Sequence, residues 1–152
     1  PVRPWIVEEF PNVLHDWRCE VVCLDLQRTF WEKATILHVE HHRPADKPTP
    51  DRFSRHYADT AALATHPDSA GAVERVDLRD RVVAWKSRFF RSGWARYDLA
   101  RPGSFRLVPP ATREAKLRAD YNEMRDMYLS DPEGFDQVLE TLRRVEARIN
   151  GA

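Results

Sequence analysis

Cysteine is nearly missing from this chain: Cys19 and Cys23 are the only two in 152 residues. One pair makes no disulfide framework, and a C-x3-C pair without a second ligand pair is a poor zinc site. Both thiols are expected to be buried in a reduced, cytoplasmic protein. Net charge is missing as well, with 24 basic residues against 24 acidic ones. That balance excludes bulk attraction to a polyanion, so any nucleic-acid contact must come from a local patch. No apolar run approaches the ~20 residues of a membrane span, and no membrane partner is expected. Internal repeats and low-complexity tracts are absent.

What is present is the composition of a folded domain, 42% hydrophobic and 32% charged. A chain of this length is expected to form a single domain over residues 1–152. Trp5 to Asp16 predicts a short helix broken before Pro11. The run from Cys19 to Leu26 holds Val21, Val22, Cys23 and Leu24, the pattern of a buried strand that needs a partner. Asp25 or Thr29 then starts a helix to about His42, with Phe30, Ala34, Leu37 and His41 on one face and Trp31, Thr35, His38 and His42 beside them. Pro44, Pro48 and Pro50 mark a stiff loop, and Asp51 begins the next helix, which ends at His66-Pro67-Asp68. Ser69 to Arg91 predicts one or two further helices with Val73, Val76, Val82, Val83 and Trp85 in the core. An irregular segment leads to a helix over Thr112–Leu129. Asp131-Pro132 starts the last one, whose buried side is Phe135, Val138, Leu142, Val145 and Ile149. The fold class is mainly α, a helical bundle with a short strand near the N-terminus.

Three groups of residues carry possible chemistry. Lys33, beside Glu32 and the aromatic pair Phe30-Trp31, can meet a phosphate as a point charge, or simply lie solvated over Trp31. Arg52, Arg55, His56 and Asp59 share one broad helical face. Arg55 can hold a phosphate while Asp59 orients Lys33 or takes a proton; the plainer reading is an Arg55–Asp59 surface pair. The segment Trp85 to Arg106 interleaves Lys86, Arg88, Arg91 and Arg96 with aromatic residues. It suits an RNA end or single strand, or else a core of aromatics with a basic rim. His38, His41 and His42 with Glu40 look like metal ligands, but no third ligand is clear, and they read as a polar helix end.

The stretch R-T-F-W-E-K-A-T-I-L-H, followed by R-F-S-R-H-Y-A-D, resembles the C-terminal half of the AbiEii/AbiGii toxin-type nucleotidyltransferase family. The resemblance covers most of the chain. It implies the helical half of an α+β nucleotidyltransferase that passes a nucleotidyl group from an NTP, with Mg2+, to an acceptor such as tRNA, in a system with a cognate antitoxin. It implies catalytic roles for Lys33 and Asp59 and substrate contacts for Arg55, with Arg52, His56 and Glu32 beside them. Many members carry an acidic residue where this chain has His56. The family's glycine-serine and acidic metal-binding motifs are not found in this sequence. With Pro1 in place of a methionine, the chain is therefore expected to be the C-terminal part of a longer enzyme, inactive when isolated. On that expectation Mg2+ is not held by this chain alone, and residues 1–26 are expected to pack against the α/β half of the longer enzyme.

Two rival readings stand beside it. One is a non-catalytic helical module that binds RNA or protein through the basic-aromatic segment. The other is a helical ribonuclease with an Arg-x4–6-His motif, which the three residues between Arg52 and His56 leave one short.

Overall fold

The computed structural model describes residues 4–13, 20–128 and 130–152. Among these residues there are helices and no strand. The helices are α1 (Ile6–Glu9), α2 (Leu26–His41), α3 (Ser54–Thr65), α4 (Val76–Phe89), α5 (Ala111–Glu123) and α6 (Phe135–Asn150).

The strand expected over Cys19–Leu26 is a correction. Residues 20–25 have no regular structure, and Leu26 already opens α2. Val21 and Leu24 are about half exposed and Val22 entirely so. An apolar run with no partner strand would bury unpaired backbone groups, and here its backbone stays in water. Cys23 is exposed rather than buried, and Cys19 lies outside the described residues.

The centre of the bundle is α2. Asp25 caps it by accepting from the Arg28 amide at 3.1 Å, as a short carboxylate at that position should. Both expected stripes are buried: Phe30, Ala34 and Leu37 on one, Trp31, Thr35 and His38 on the next. A helix buried on two adjacent stripes must have neighbours on more than one side, and α3 and α4 supply them. Trp31 packs edge-on to Phe30 and Phe105 and donates its indole N–H to the Ala72 carbonyl at 2.8 Å.

The expected start of α3 is three residues early. Asp51 does not cap it. Asp120 on α5 does so from across the bundle, accepting from the Arg52 and Ser54 amides at 2.5 and 2.9 Å and from the Ser54 hydroxyl. Arg52 takes φ 57°, a left-handed conformation that turns its amide toward that carboxylate. Trp85 and Val76, expected in the core, are exposed. The inward face of α4 is Leu78, Val82 and Lys86, spaced four apart, which turns Val76 and Trp85 outward.

The C-terminal helices differ at their ends. The helix expected to Leu129 stops at Glu123, followed by a single tight turn over Arg125–Met127. The last helix begins at Phe135, not Asp131, because Asp131 turns its carboxylate to Arg125. Phe135, Val138, Leu142 and Ile149 are buried as expected. Gly151 closes α6 with φ 80°, its amide donating to the Arg148 carbonyl and the next amide to Ala147.

The irregular segment before α5 has no strand to pair with, so side chains satisfy it. Glu146 of α6 accepts from the Leu107 and Val108 amides, and Asn150 both accepts from and donates to the Phe105 backbone. These contacts hold Phe105 and Leu107 fully buried against the helices.

Candidate functional site

The antiparallel packing of α2 and α3 brings Lys33, His56 and Asp59 together. Gln27 near one end of α2 reaches Ala70 beyond the far end of α3, and Lys33, two turns on, meets the first half of α3. Lys33 Nζ donates to Asp59 Oδ2 at 2.8 Å and lies 3.5 Å from His56 Nδ1, a long contact. Lys33 is 27% exposed and Asp59 42%, so the pair stands at the surface within reach of a solute. Arg55, one residue from His56, is exposed; among the described residues Asp59 pairs with Lys33, not with Arg55.

The His56 ring is neutral at pH 7. Burial, and then the Lys33 and Arg55 charges, hold its pKa down to about 4. A neutral imidazole facing an ammonium accepts through Nδ1, which leaves its proton on Nε2. Lys33 has three N–H donors. Asp59 takes one and His56 faces a second, so one remains for an incoming oxygen anion.

Glu32 has a different setting from its neighbour. Lys86, nearly buried on α4, donates to the Glu32 carbonyl at 2.6 Å and pairs with its carboxylate at 3.2 Å. Arg28 approaches the same carboxylate at 3.6 Å. Burial lowers the Lys86 pKa while the Glu32 carboxylate works against that shift. Glu32 therefore ties α4 to α2 behind Lys33, and Lys86 is withdrawn from the surface. Arg52 sits where its backbone meets Asp120, its side chain exposed.

The basic-aromatic segment is partly a surface feature. Trp85 stacks obliquely on Phe89 and Phe90, with ring centroids at 5.1 and 5.4 Å, and all three are exposed. The Arg88 guanidinium lies 5.6 Å from the Phe89 ring centre. Arg91 borders a hollow of about 470 Å³ beside Phe90 and Trp94, whereas Arg96 pairs with Asp98 at 3.1 Å.

The histidines are connectors. The Arg106 amide donates to His38 Nδ1, so the His38 proton is on Nε2, which donates to the Arg96 carbonyl at 3.0 Å. Burial brings the His38 pKa down to about 4. His41 Nδ1 meets the Val108 carbonyl at 2.7 Å and must donate. Among the described residues no three His, Cys, Asp or Glu side chains converge as a metal ion requires. With Asp59 turned to Lys33, those present do not fit a magnesium site.

Two features had no sequence signal. Arg113, nearly buried, donates to Thr49 and to the carbonyls of Arg43, Pro44 and Lys47, pinning the proline-rich loop. A hollow of about 680 Å³ opens between α3, α6 and the end of α5, and Asp59 stands on its rim.

The sequence model of the family described as "Nucleotidyl transferase AbiEii toxin, Type IV TA system" matches residues 2–141. No curated protein and no solved structure matches the chain.

Proposed function

The chain belongs to the AbiEii nucleotidyl transferase toxin family of type IV toxin–antitoxin systems, and from that premise we propose that Lys33 and Arg55 hold the phosphates of a nucleoside triphosphate while Asp59 positions Lys33. Its nucleotidyl group then passes to an acceptor such as tRNA. The observation that carries this reading is the 2.8 Å Lys33–Asp59 pair on two packed helices, at the surface and backed by a neutral His56. Asp59 fixes the ammonium in one direction, so ordering the long lysine side chain is done before the phosphate arrives. The donor left on Lys33, together with the exposed Arg55 guanidinium, meets phosphate oxygens with charge-assisted bonds. His56, uncharged, supports Lys33 without repelling it.

In this reading the described residues have the phosphate-holding role; no three His, Cys, Asp or Glu side chains among them converge on a metal ion. Carboxylates for a metal come from outside the described residues, and the chain is inactive without them. A type IV system implies an antitoxin as a further partner.

The test is transfer of label from radioactive NTPs to total tRNA by the full-length protein and its Lys33→Ala version, with NTP affinity measured beside it. Lys33→Ala should lower both; equal labelling and equal affinity would remove Lys33 from the site.

A second reading, a non-catalytic RNA-binding module, is favoured by one observation: the exposed Trp85–Phe89–Phe90 stack with Arg88 and Arg91 beside it. Aromatic faces stack on bases and arginines follow the phosphates. Arg88→Ala with Arg91→Ala should weaken binding to single-stranded RNA and flatten its salt dependence. No affinity at low salt would end this reading.

A further inference from the structure

The 680 Å³ hollow adjoins the phosphate site, and its chemistry differs from that site's. Asp59 belongs to both. Its Oδ2 accepts from Lys33, while its other oxygen makes no hydrogen bond among the described residues. From Asp59 the wall follows α3 to Thr65, six residues or about 9 Å along the axis. Gln137 and Arg144 of α6 face it from the opposite wall, and Tyr128 closes one end. The Tyr128 hydroxyl is enclosed and makes no well-aligned hydrogen bond among the described residues. Burial pushes its pKa up to about 12, so it remains a donor.

The charges select what can enter. Asp59 is already paired with Lys33, and Glu133 balances Arg144, so the lining carries no excess positive charge to hold a triphosphate. A neutral group with hydroxyls near Asp59, a flat ring against Tyr128 and the alanines, and amide-like edges toward Gln137 would be accepted. The volume lies within the range of small-ligand sites.

We infer that this hollow takes the nucleoside of the triphosphate, with a ribose hydroxyl donating to the free oxygen of Asp59 and the base lying between α3 and α6. This rests on the phosphate reading of Lys33. It assigns Asp59 two bonds at once: to the lysine that holds the phosphates and to the sugar that carries them. Nucleotide preference is then set by Gln137 and Arg144, not by the lysine.

The test uses the full-length protein and isothermal titration with two kinds of probe: inorganic tripolyphosphate, and each of the four common ribonucleoside triphosphates. Ala62 is exposed on the hollow's wall, so Ala62→Trp fills the space with little demand on the core. Gln137→Trp fills it from α6, and a thermal melt of each variant confirms folding. The best-bound NTP should bind wild type at least tenfold tighter than tripolyphosphate. Either tryptophan should bring that NTP down to the tripolyphosphate level and leave tripolyphosphate unchanged, whereas Lys33→Ala should weaken both. An NTP that binds folded tryptophan variants as it binds wild type, or no tighter than tripolyphosphate in wild type, overturns the inference and leaves the phosphate site intact. Tripolyphosphate binding that is unaffected by Lys33→Ala overturns the phosphate reading instead. Failure of every probe to bind overturns both.

Discussion

Replacing His38 by glutamine should flatten the dependence of stability on pH. His38 is fully buried and uncharged, with a pKa of about 4 against 6.5 for a free imidazole. The unfolded chain therefore binds a proton on His38 between those values and the folded chain does not. Stability from this residue is complete above about pH 6.5 and is lost as pH falls toward 4. At about 1.4 kcal/mol per unit, the loss between pH 7.5 and 4.5 is roughly 2.5 kcal/mol. His42, also lowered by burial, and His56, lowered to about 4, push the same way, so the wild-type slope exceeds what His38 supplies. A glutamine can accept from the Arg106 amide and donate to the Arg96 carbonyl as His38 does, without titrating. It loses ring contact with Phe105, whose centroid is 4.9 Å away, and so should be less stable at pH 7.5. Urea melts at pH 7.5 and 4.5 give the four stabilities needed. The variant should lose about 2–3 kcal/mol less than wild type over that interval. Equal losses in the two proteins would refute the assignment of a neutral, doubly bonded His38.

Further outcomes follow from other contacts. Asp120→Ala removes the cap that α5 provides for α3 and should cost about 1–2 kcal/mol, read as a lower melting temperature; it should also weaken NTP binding, because α3 carries Arg55 and Asp59. Glu32→Gln takes the charged partner away from nearly buried Lys86, leaving it neutral acceptors alone, and should cost about 3 kcal/mol in a urea melt. Adding Lys86→Met should recover much of that, since an apolar side chain needs no partner there. Asp59→Asn should cost less than about 1 kcal/mol of stability, because the Lys33–Asp59 pair is partly exposed, yet reduce NTP affinity by more than that; equal small effects on both would argue that the pair is only a surface contact.

The sequence and the structure agree where periodicity governs. Two apolar stripes on α2 and the spacing of Phe135, Val138 and Leu142 on α6 needed only the helical repeat. Lys33 and Asp59 could be placed together because helices joined by a short proline-rich loop pack as antiparallel neighbours. What the repeat does not carry is which distant group completes a local one. Asp120 caps α3 from 66 positions away, and Asp51, nearer in sequence, does not. Lys86 looked like part of a basic surface because its partner, Glu32, lies 54 positions off. The hollow was invisible for the same reason: its walls come from α3, α5 and α6, and no one of them marks a cavity. Cys19 to Leu26 misled in the opposite way, since a locally strand-like run has no sheet to join.

The grip of Glu146 and Asn150 on the backbone of residues 105–108 has a kinetic meaning. The amides of Phe105, Leu107 and Val108 have no helical or sheet partner of their own, so they stay open to solvent until α6 docks. Their hydrogen-exchange protection should then appear after that of the α2 amides during refolding and vanish first when α6 loosens. Phe105 and Leu107 would be sealed in at the same moment, which makes docking of the last helix the event that closes the core.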